Sequence, residues 1–372
     1  MAWTRLRQVN RFLESDAALG RGVTVRSQLL SPRTSVALYG VCLGLAAIVC
    51  STPSAGAEKG GFHVDNIPYG GWKNNLRVSN GDAELIATLD VGPRIISYRL
   101  MDGKNVFKEY PDQLGHSGES DWMIRGGHRL WAGPEDLTRT YALDNAPVHA
   151  QELSSDVVRF ASAPDSAYGL QKEIDVRLER QGSRVTVIHR LKNIGTAPTE
   201  LAPWSLSVMA PGGIEIIPQP PKKPHPGSPK NARSASDFAP NQLLRLWPFS
   251  DLADPRLQLG HKYITLRQDA HRGPTKLGLA HQMEWVGYLN GGTLFVKRFE
   301  YHSDKSYPDQ GCNFETFTNE EMLEVESLGP LVRLAPGQAV EHTERWELFA
   351  SVGPVTDEAS IDTQVGARLK AD

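Results

Sequence analysis

Apolar and polar residues alternate along this chain in short runs rather than in long periods. Residues 173–179 read Glu-Ile-Asp-Val-Arg-Leu-Glu, so a strand there turns Ile174, Val176 and Leu178 to one face and the charges to the other. Runs of the same kind recur at 84–89, 94–100, 157–161, 184–191, 263–267, 293–299 and 341–349. Turn signals separate them, among them Asn80-Gly81, Asp102-Gly103 and Asn290-Gly291-Gly292. No stretch between Glu58 and Thr356 carries the period of a long amphipathic helix. The pattern predicts an all-β chain, one large antiparallel β-sandwich over about residues 60–352 with a polar tail at 353–372. His189 alternates with Val185, Val187 and Leu191 and reads as structural.

One segment breaks the alternation. Seven prolines fall between Pro218 and Pro240. Proline donates no ladder hydrogen bond, so this is not a central strand. An exposed loop is the expectation, with a rim or lid over a site as the alternative.

The N-terminal region has its own order. Six arginines precede an apolar run from Val36 to Cys50, and Ala55-Gly56-Ala57 follows. Basic, apolar, then small is the order of a secretory signal peptide over residues 1–57, and the apolar run is short for a membrane span. The expectation is a secreted or periplasmic protein cleaved after Ala57, with no stable membrane span after processing; an N-terminal anchor is the competitor. The whole chain has 40 basic and 43 acidic residues. Without the six arginines, Glu14 and Asp16 of the leader, the net charge is about −7. No basic block is present, which argues against nucleic acid as a partner. Cys42 and Cys50 fall in the leader, so Cys312 stands alone and reads as a small packed hydrophobe.

The chain has no Gly-x-Ser-x-Gly elbow, P-loop, His-Glu-x-x-His, dinucleotide fingerprint or paired Cys-x-x-Cys. No cofactor and no metal are expected. What remains are polar-aromatic clusters. The densest is Gly126-Gly127-His128-Arg129-Leu130-Trp131-Ala132-Gly133-Pro134-Glu135-Asp136. An indole beside forked hydrogen-bonding groups suits a sugar, which has apolar C–H faces and a rim of hydroxyls. A buried Trp131 with an Arg129–Glu135 ion pair is the plain structural alternative. Further clusters surround Arg139-Thr140-Tyr141, Asn145, Ala202-Pro203-Trp204, Tyr307-Pro308-Asp309, Glu315 and Glu324-Val325-Glu326.

These pieces resemble a family of bacterial proteins with a galactose-mutarotase-like (aldose 1-epimerase-like) domain. The resemblance runs in order through Asn80-Gly81, Gly92-Pro93-Arg94-Ile95-Ile96, Gly127-His128-Arg129-Leu130-Trp131 and Ala202-Pro203-Trp204. It continues through Phe295-Val296-Lys297-Arg298, Tyr307-Pro308-Asp309, 324–330 and Pro336-Gly337. It implies a galactose-mutarotase-like antiparallel β-supersandwich. It also implies a late glutamate that takes the proton of an anomeric hydroxyl and a mid-chain histidine that protonates the ring oxygen. A second histidine and an Arg or Asn hold the sugar. By order, His128 with Arg129 matches the earlier histidine, and Glu315, Glu324 or Glu326 the late carboxylate. The chain departs from the pattern at Trp204, which stands where the mid-chain acid belongs and is no useful proton donor. Tyr307, Asp309 or His281 would have to substitute.

The candidate catalytic residues are therefore His128, Glu315, Glu324 and Glu326. The candidate binding residues are Arg94, Arg129, Trp131, Glu135, Tyr141, Asn145, Trp204, Tyr307 and Asp309. Plain alternatives stand beside them. Trp204 and Trp346 read as core, Arg94 as a buried partner of Glu326, and Glu324 and Glu326 as a same-face pair in solvent. The functional expectation is an exported protein that recognises a mono- or oligosaccharide, with acid/base chemistry at an anomeric centre as its enzymatic form. A non-catalytic glycan-binding protein and a polysaccharide-processing, lyase-like enzyme are the alternatives. The enzymatic form requires His128 and a late glutamate to face each other across one pocket.

Overall fold

The computed structural model describes residues 61–165 and 167–370, and the leader-like segment lies outside the described residues. β1 (His63–Tyr69), β2 (Trp72–Ser79), β3 (Ala83–Thr88) and β4 (Arg94–Leu100) form an antiparallel meander, which β5 (Gly127–Gly133) extends after a long connection. β6 (His149–Ser154), β7 (Val157–Ala161), β8 (Leu170–Leu178) and β9 (Val185–Asn193) form a second meander. β10 (Thr199–Met209) returns to pair with β5. β11 (Ile214–Pro218), β12 (Leu244–Leu246), β13 (Leu257–Leu259), β14 (Tyr263–Arg267), β15 (Thr275–Leu279) and β16 (Trp285–Asn290) follow. β17 (Thr293–Phe299), β18 (Phe314–Thr318), β19 (Leu323–Leu328), β20 (Val332–Leu334) and β21 (Ala339–Phe349) complete the set.

They make two antiparallel sheets. The first runs β1-β2-β3-β4-β5-β10-β19-β18-β15-β12, with β20 paired to β10; the second runs β13-β14-β11-β16-β17-β21-β9-β8-β7-β6. This is the large antiparallel β-sandwich the alternation predicts, in the two-sheet form the resemblance implies. Pro203 sits inside β10 where its missing N–H does least harm. The strand pairs with β20 over Thr199–Leu201 and with β19 only from Trp204 onward.

Strand alternation gives each sheet an inner and an outer face. Val185, Val187 and Leu191 of β9 join Phe295, Trp346 and Leu130 in the core between the sheets. The outer face of the second sheet is covered by helical turns at Glu358–Ile361, Asp362–Gly366 and Ala367–Leu369. Their Ile361 and Val365 bury against Val355, Leu294 and Val296. The expected polar tail is thus partly a packed element. Its charged residues hide two apolar ones four apart, a spacing that fits one helix face. The proline segment is the exposed loop expected, with one helical turn at Ala235–Phe238. No helix among the described residues is long and apolar enough to cross a membrane.

Candidate functional site on the outer face of the first sheet

Two glycines set β5 in place. Gly126 and Gly127 have φ of +79° and +70°, and a Cβ would stand 1.9 Å from the Lys108 carbonyl oxygen at the first and 2.5 Å from that of Ile95 at the second. Only glycine fits. From there alternation sends His128 and Leu130 inward and Arg129 and Trp131 outward. On β10, Trp204 and Leu206 face outward and Ser205 and Ser207 inward; on β19, Glu324 and Glu326 face outward and Val325 and Ser327 inward. Glu315 of β18 pairs with Glu326 of β19, and Lys276 of β15 lies beside Phe317, the partner of Glu324.

The outer face therefore gathers Arg129, Glu324, Glu326, Glu315 and Lys276, all buried. Arg129 Nη2 donates to Glu324 Oε1 at 2.8 Å. Lys276 Nζ stands between two carboxylates, 2.7 Å from Glu315 Oε2 and 3.2 Å from Glu326 Oε2. Trp204 Nε1 also donates to Glu326 Oε2, at 2.8 Å. Several atoms are left without a hydrogen-bond partner, namely Arg129 Nε and Nη1, Glu326 Oε1 and Glu315 Oε1. Buried polar atoms of native proteins are rarely left so. Burial pushes the carboxyl groups of Glu315 and Glu326 up from their ordinary range, against the pull of Lys276. Burial opposes the charge on Lys276 as well, yet the two carboxyls hold its ammonium above the ordinary lysine value.

The indoles expected to serve as stacking platforms are already engaged. Trp131 and Trp204 are buried edge to face with ring centroids 5.2 Å apart. The Arg129 guanidinium lies 4.3 Å from the Trp131 ring centroid, and Lys276 Nζ 4.8 Å from that of Trp204. The half-buried aromatics above this floor are Trp122, Tyr141 and Trp247. Trp122 packs against Trp131 at 5.4 Å and Tyr141 also at 5.4 Å, while Trp247 lies over Lys276 at 4.8 Å. At the rim, Tyr141 donates to Glu135 Oε1 at 2.6 Å. Trp122, Trp247 and Lys276 escape the sequence reading because each is a lone residue in an unremarkable stretch; only the fold brings them to the same face.

His128 is a correction. It does not face the late glutamates but lies fully buried between the sheets, because it neighbours Arg129 in a strand and so points the opposite way. Its Nδ1 is 2.9 Å from Ser207 Oγ and its Nε2 is 2.6 Å from His189 Nε2. His189 Nδ1 meets the carbonyl oxygen of His342 at 3.0 Å. A carbonyl only accepts, so His189 carries its proton on Nδ1 and accepts at Nε2. His128 then donates from Nε2 and accepts the Ser207 hydroxyl at Nδ1. Glu344 is bound just as fully, by Lys297 Nζ at 2.9 Å, Ser327 Oγ at 2.6 Å and Trp346 Nε1 at 2.7 Å. Burial keeps His128 and His189 below the usual imidazole range and pushes His342 down to about 3. Burial also disfavours the Glu344 carboxylate, but Lys297 and the three imidazoles hold it well below its ordinary range.

His128, His189 and Glu344 form the one group among the described residues with three metal-ligating atoms close together, all within 4.8 Å. The group does not fit a metal. Its two Nε2 atoms share a proton at a spacing shorter than two ligands of one ion keep, and the Lys297 ammonium already occupies the carboxylate.

Three further candidates serve the framework. Arg94 pairs with Asp144 at 2.6 Å rather than with Glu326, and donates to the carbonyls of Ile124 at 2.9 Å and Gly126 at 2.6 Å. With Arg125, whose guanidinium holds Glu119, it pins the loop that carries Trp122. Asn145 donates to the Glu119 carbonyl in the same loop. Tyr307 is buried, stacks on Tyr301 and accepts from the His302 amide at 2.9 Å. Asp309 sits in a tight turn with φ of 50° and bears electrostatically on Glu315. His281 hydrogen-bonds the Trp285 carbonyl and packs on Phe299 and Phe314, so it supplies no outer-face acid. Cys312 is buried, as expected.

No protein-family model matches the chain, and no curated protein matches it in sequence. Solved structures do match it. A TPR-domain containing protein from Parabacteroides distasonis is 15% identical with a TM-score of 0.50, over 76% of this chain and 48% of that one. The chain thus spans about half the length of that protein. Slr1438 from Synechocystis is 9% identical, again with a TM-score of 0.50, over 77% of this chain and 99% of that one. A galactose mutarotase-like protein from Lactobacillus casei is 10% identical with a TM-score of 0.48, over 74% of this chain and all of that one. At such identities the likeness concerns the fold.

Proposed function

We propose that this protein binds a carbohydrate on the outer face of its first sheet, between Trp122 and Trp247 and above Arg129, Glu326 and Lys276. One observation carries the reading. Buried donors on Arg129 and buried acceptors on Glu326 and Glu315 lack partners inside a ring of aromatic side chains. Sugar hydroxyls both donate and accept, and the C–H faces of a pyranose suit indoles. The sequence resemblance to mutarotase-like proteins points to the same ligand class. The leader-like order of residues 1–57 supports binding outside the cytoplasm.

A thermal-shift screen against mono- and oligosaccharides tests the proposal. Ligand that binds only the folded state raises the melting temperature, by about 2.7 kcal/mol of stability at a hundredfold excess over Kd. The shift should vanish in Arg129→Met and survive in Leu153→Ser, an exposed residue of the second sheet. A screen with no shift at high millimolar sugar sinks the proposal.

A second reading, catalysis at the anomeric carbon, loses His128, which the enzymatic expectation required, and rests instead on the cross-strand pair Glu315 and Glu326. With one ionised and one protonated, the carboxylate takes the proton of the anomeric hydroxyl while the acid protonates the ring oxygen. The C1–O5 bond then breaks as the C1 carbonyl forms; rotation and reversal give the other anomer. Polarimetry on a binding sugar separates the readings: turnover lost in Glu326→Gln supports catalysis, and unchanged rotation beyond the uncatalysed rate leaves a binder.

A further inference from the structure

We infer that the sugar this site takes carries a free amino group, held as an ammonium by the free oxygens Glu315 Oε1 and Glu326 Oε1. The inference rests on the proposed carbohydrate site and narrows its substrate class.

The argument begins with charge. Arg129 is matched by Glu324 at 2.8 Å. Lys276 alone must serve both Glu315 and Glu326, and each of these buried carboxyls keeps an oxygen without a hydrogen-bond partner. Neighbouring groups do not make up the deficit. Asp309 adds negative charge toward Glu315, and Glu135 toward Lys276. Arg245, in register with Gly278 beside Glu315, spends a donor on the Gln310 carbonyl at 3.2 Å. With both carboxyls ionised, the face is therefore short of one positive charge at the place where two buried oxygens await donors.

A neutral sugar repairs only part of this. Its hydroxyls donate one proton each and bring no charge. Burying a second carboxylate beside one ammonium stays costly unless the pair takes up a proton. An ammonium offers three donors and a full charge, and charge-assisted hydrogen bonds are the stronger kind. The indoles of Trp204 and Trp247 hold the Lys276 ammonium at 4.8 Å each, so this face already accommodates a cation. An N-acetyl group has neither the charge nor the three donors.

Isothermal titration calorimetry of the full-length protein tests this at pH 6.5, where amino sugars are cationic. The probes are glucosamine and galactosamine, their N-acetyl counterparts, and glucose and galactose. We expect at least one amine to bind at least tenfold tighter than both its N-acetyl and its neutral counterpart. In Glu326→Gln and in Glu315→Gln that preference should fall below threefold, with the fold checked by circular dichroism. Neutral or N-acetyl sugars that bind as well as the amines to the unaltered protein overturn the inference and leave the carbohydrate site standing. No heat from any of the six overturns the inference, and the carbohydrate site then falls only if the oligosaccharides of the thermal-shift screen are silent too.

Discussion

Lys276 stands between two carboxyl groups that cannot both stay charged without it. Removing it in Lys276→Met leaves Glu315 and Glu326 to neutralise by taking protons, so the cost should depend on pH. Both carboxyls already titrate above their ordinary range in the fold. A group whose folded pKa is raised contributes stability below its unfolded pKa and loses it as pH rises. The variant should therefore lose more melting temperature at about pH 8 than at about pH 5, by scanning calorimetry at both; an equal loss would detach Lys276 from the pair. Lys297 is the inner counterpart. It is the cation on Glu344 in the dry interior, and Lys297→Met should cost about 3–5 kcal/mol by urea denaturation, since it strands a buried carboxylate.

At the scale of the strand, β5 decides which residues meet. The run Gly127 to Trp131 reads as one cluster along the chain, but period two divides it. Arg129 and Trp131 join the glutamates outside, and His128 joins His189 inside. Alternation is legible in the residues; membership of one site is not, because neighbours in a strand point to opposite faces. The same period made Glu324 and Glu326 a same-face pair, and so they are. Their burial was not legible, because it depends on Trp122 and Trp247 arriving from distant loops. Strands such as β4, β7, β14 and β17 coincide with the expected runs, whereas β15, with Lys276, has too little alternation to announce itself. Backbone constraint gives a direct check. In Gly127→Ala the new methyl meets the Ile95 carbonyl at a positive φ, so β5 must part from β4. We expect a loss of at least about 2 kcal/mol together with loss of sugar binding. A variant with normal stability and binding would show that the β4–β5 junction does not position Arg129.

For the whole molecule, two sets of buried groups pull stability in opposite directions with pH. Burial lowers His128, His189 and His342 from an ordinary 6.5, so below that pH the unfolded chain takes protons the folded one refuses, and stability falls with falling pH. Burial raises Glu215, Glu315 and Glu326 from an ordinary 4.5, so above that pH the folded chain keeps protons the unfolded one releases, and stability falls with rising pH. The windows overlap between 4.5 and 6.5, where a broad maximum of urea stability is expected. A stability still climbing at about pH 8 would contradict the burial of the carboxyl set.

The central claim is that ligand sits on the outer face of the first sheet, away from the histidines between the sheets. A crystal structure with the sugar that most raises the melting temperature tests it most directly. We predict sugar density between Trp122 and Trp247, within hydrogen-bond reach of Arg129 Nη1 and Glu326 Oε1. Density lodged elsewhere, with those atoms still unpartnered, would contradict the account.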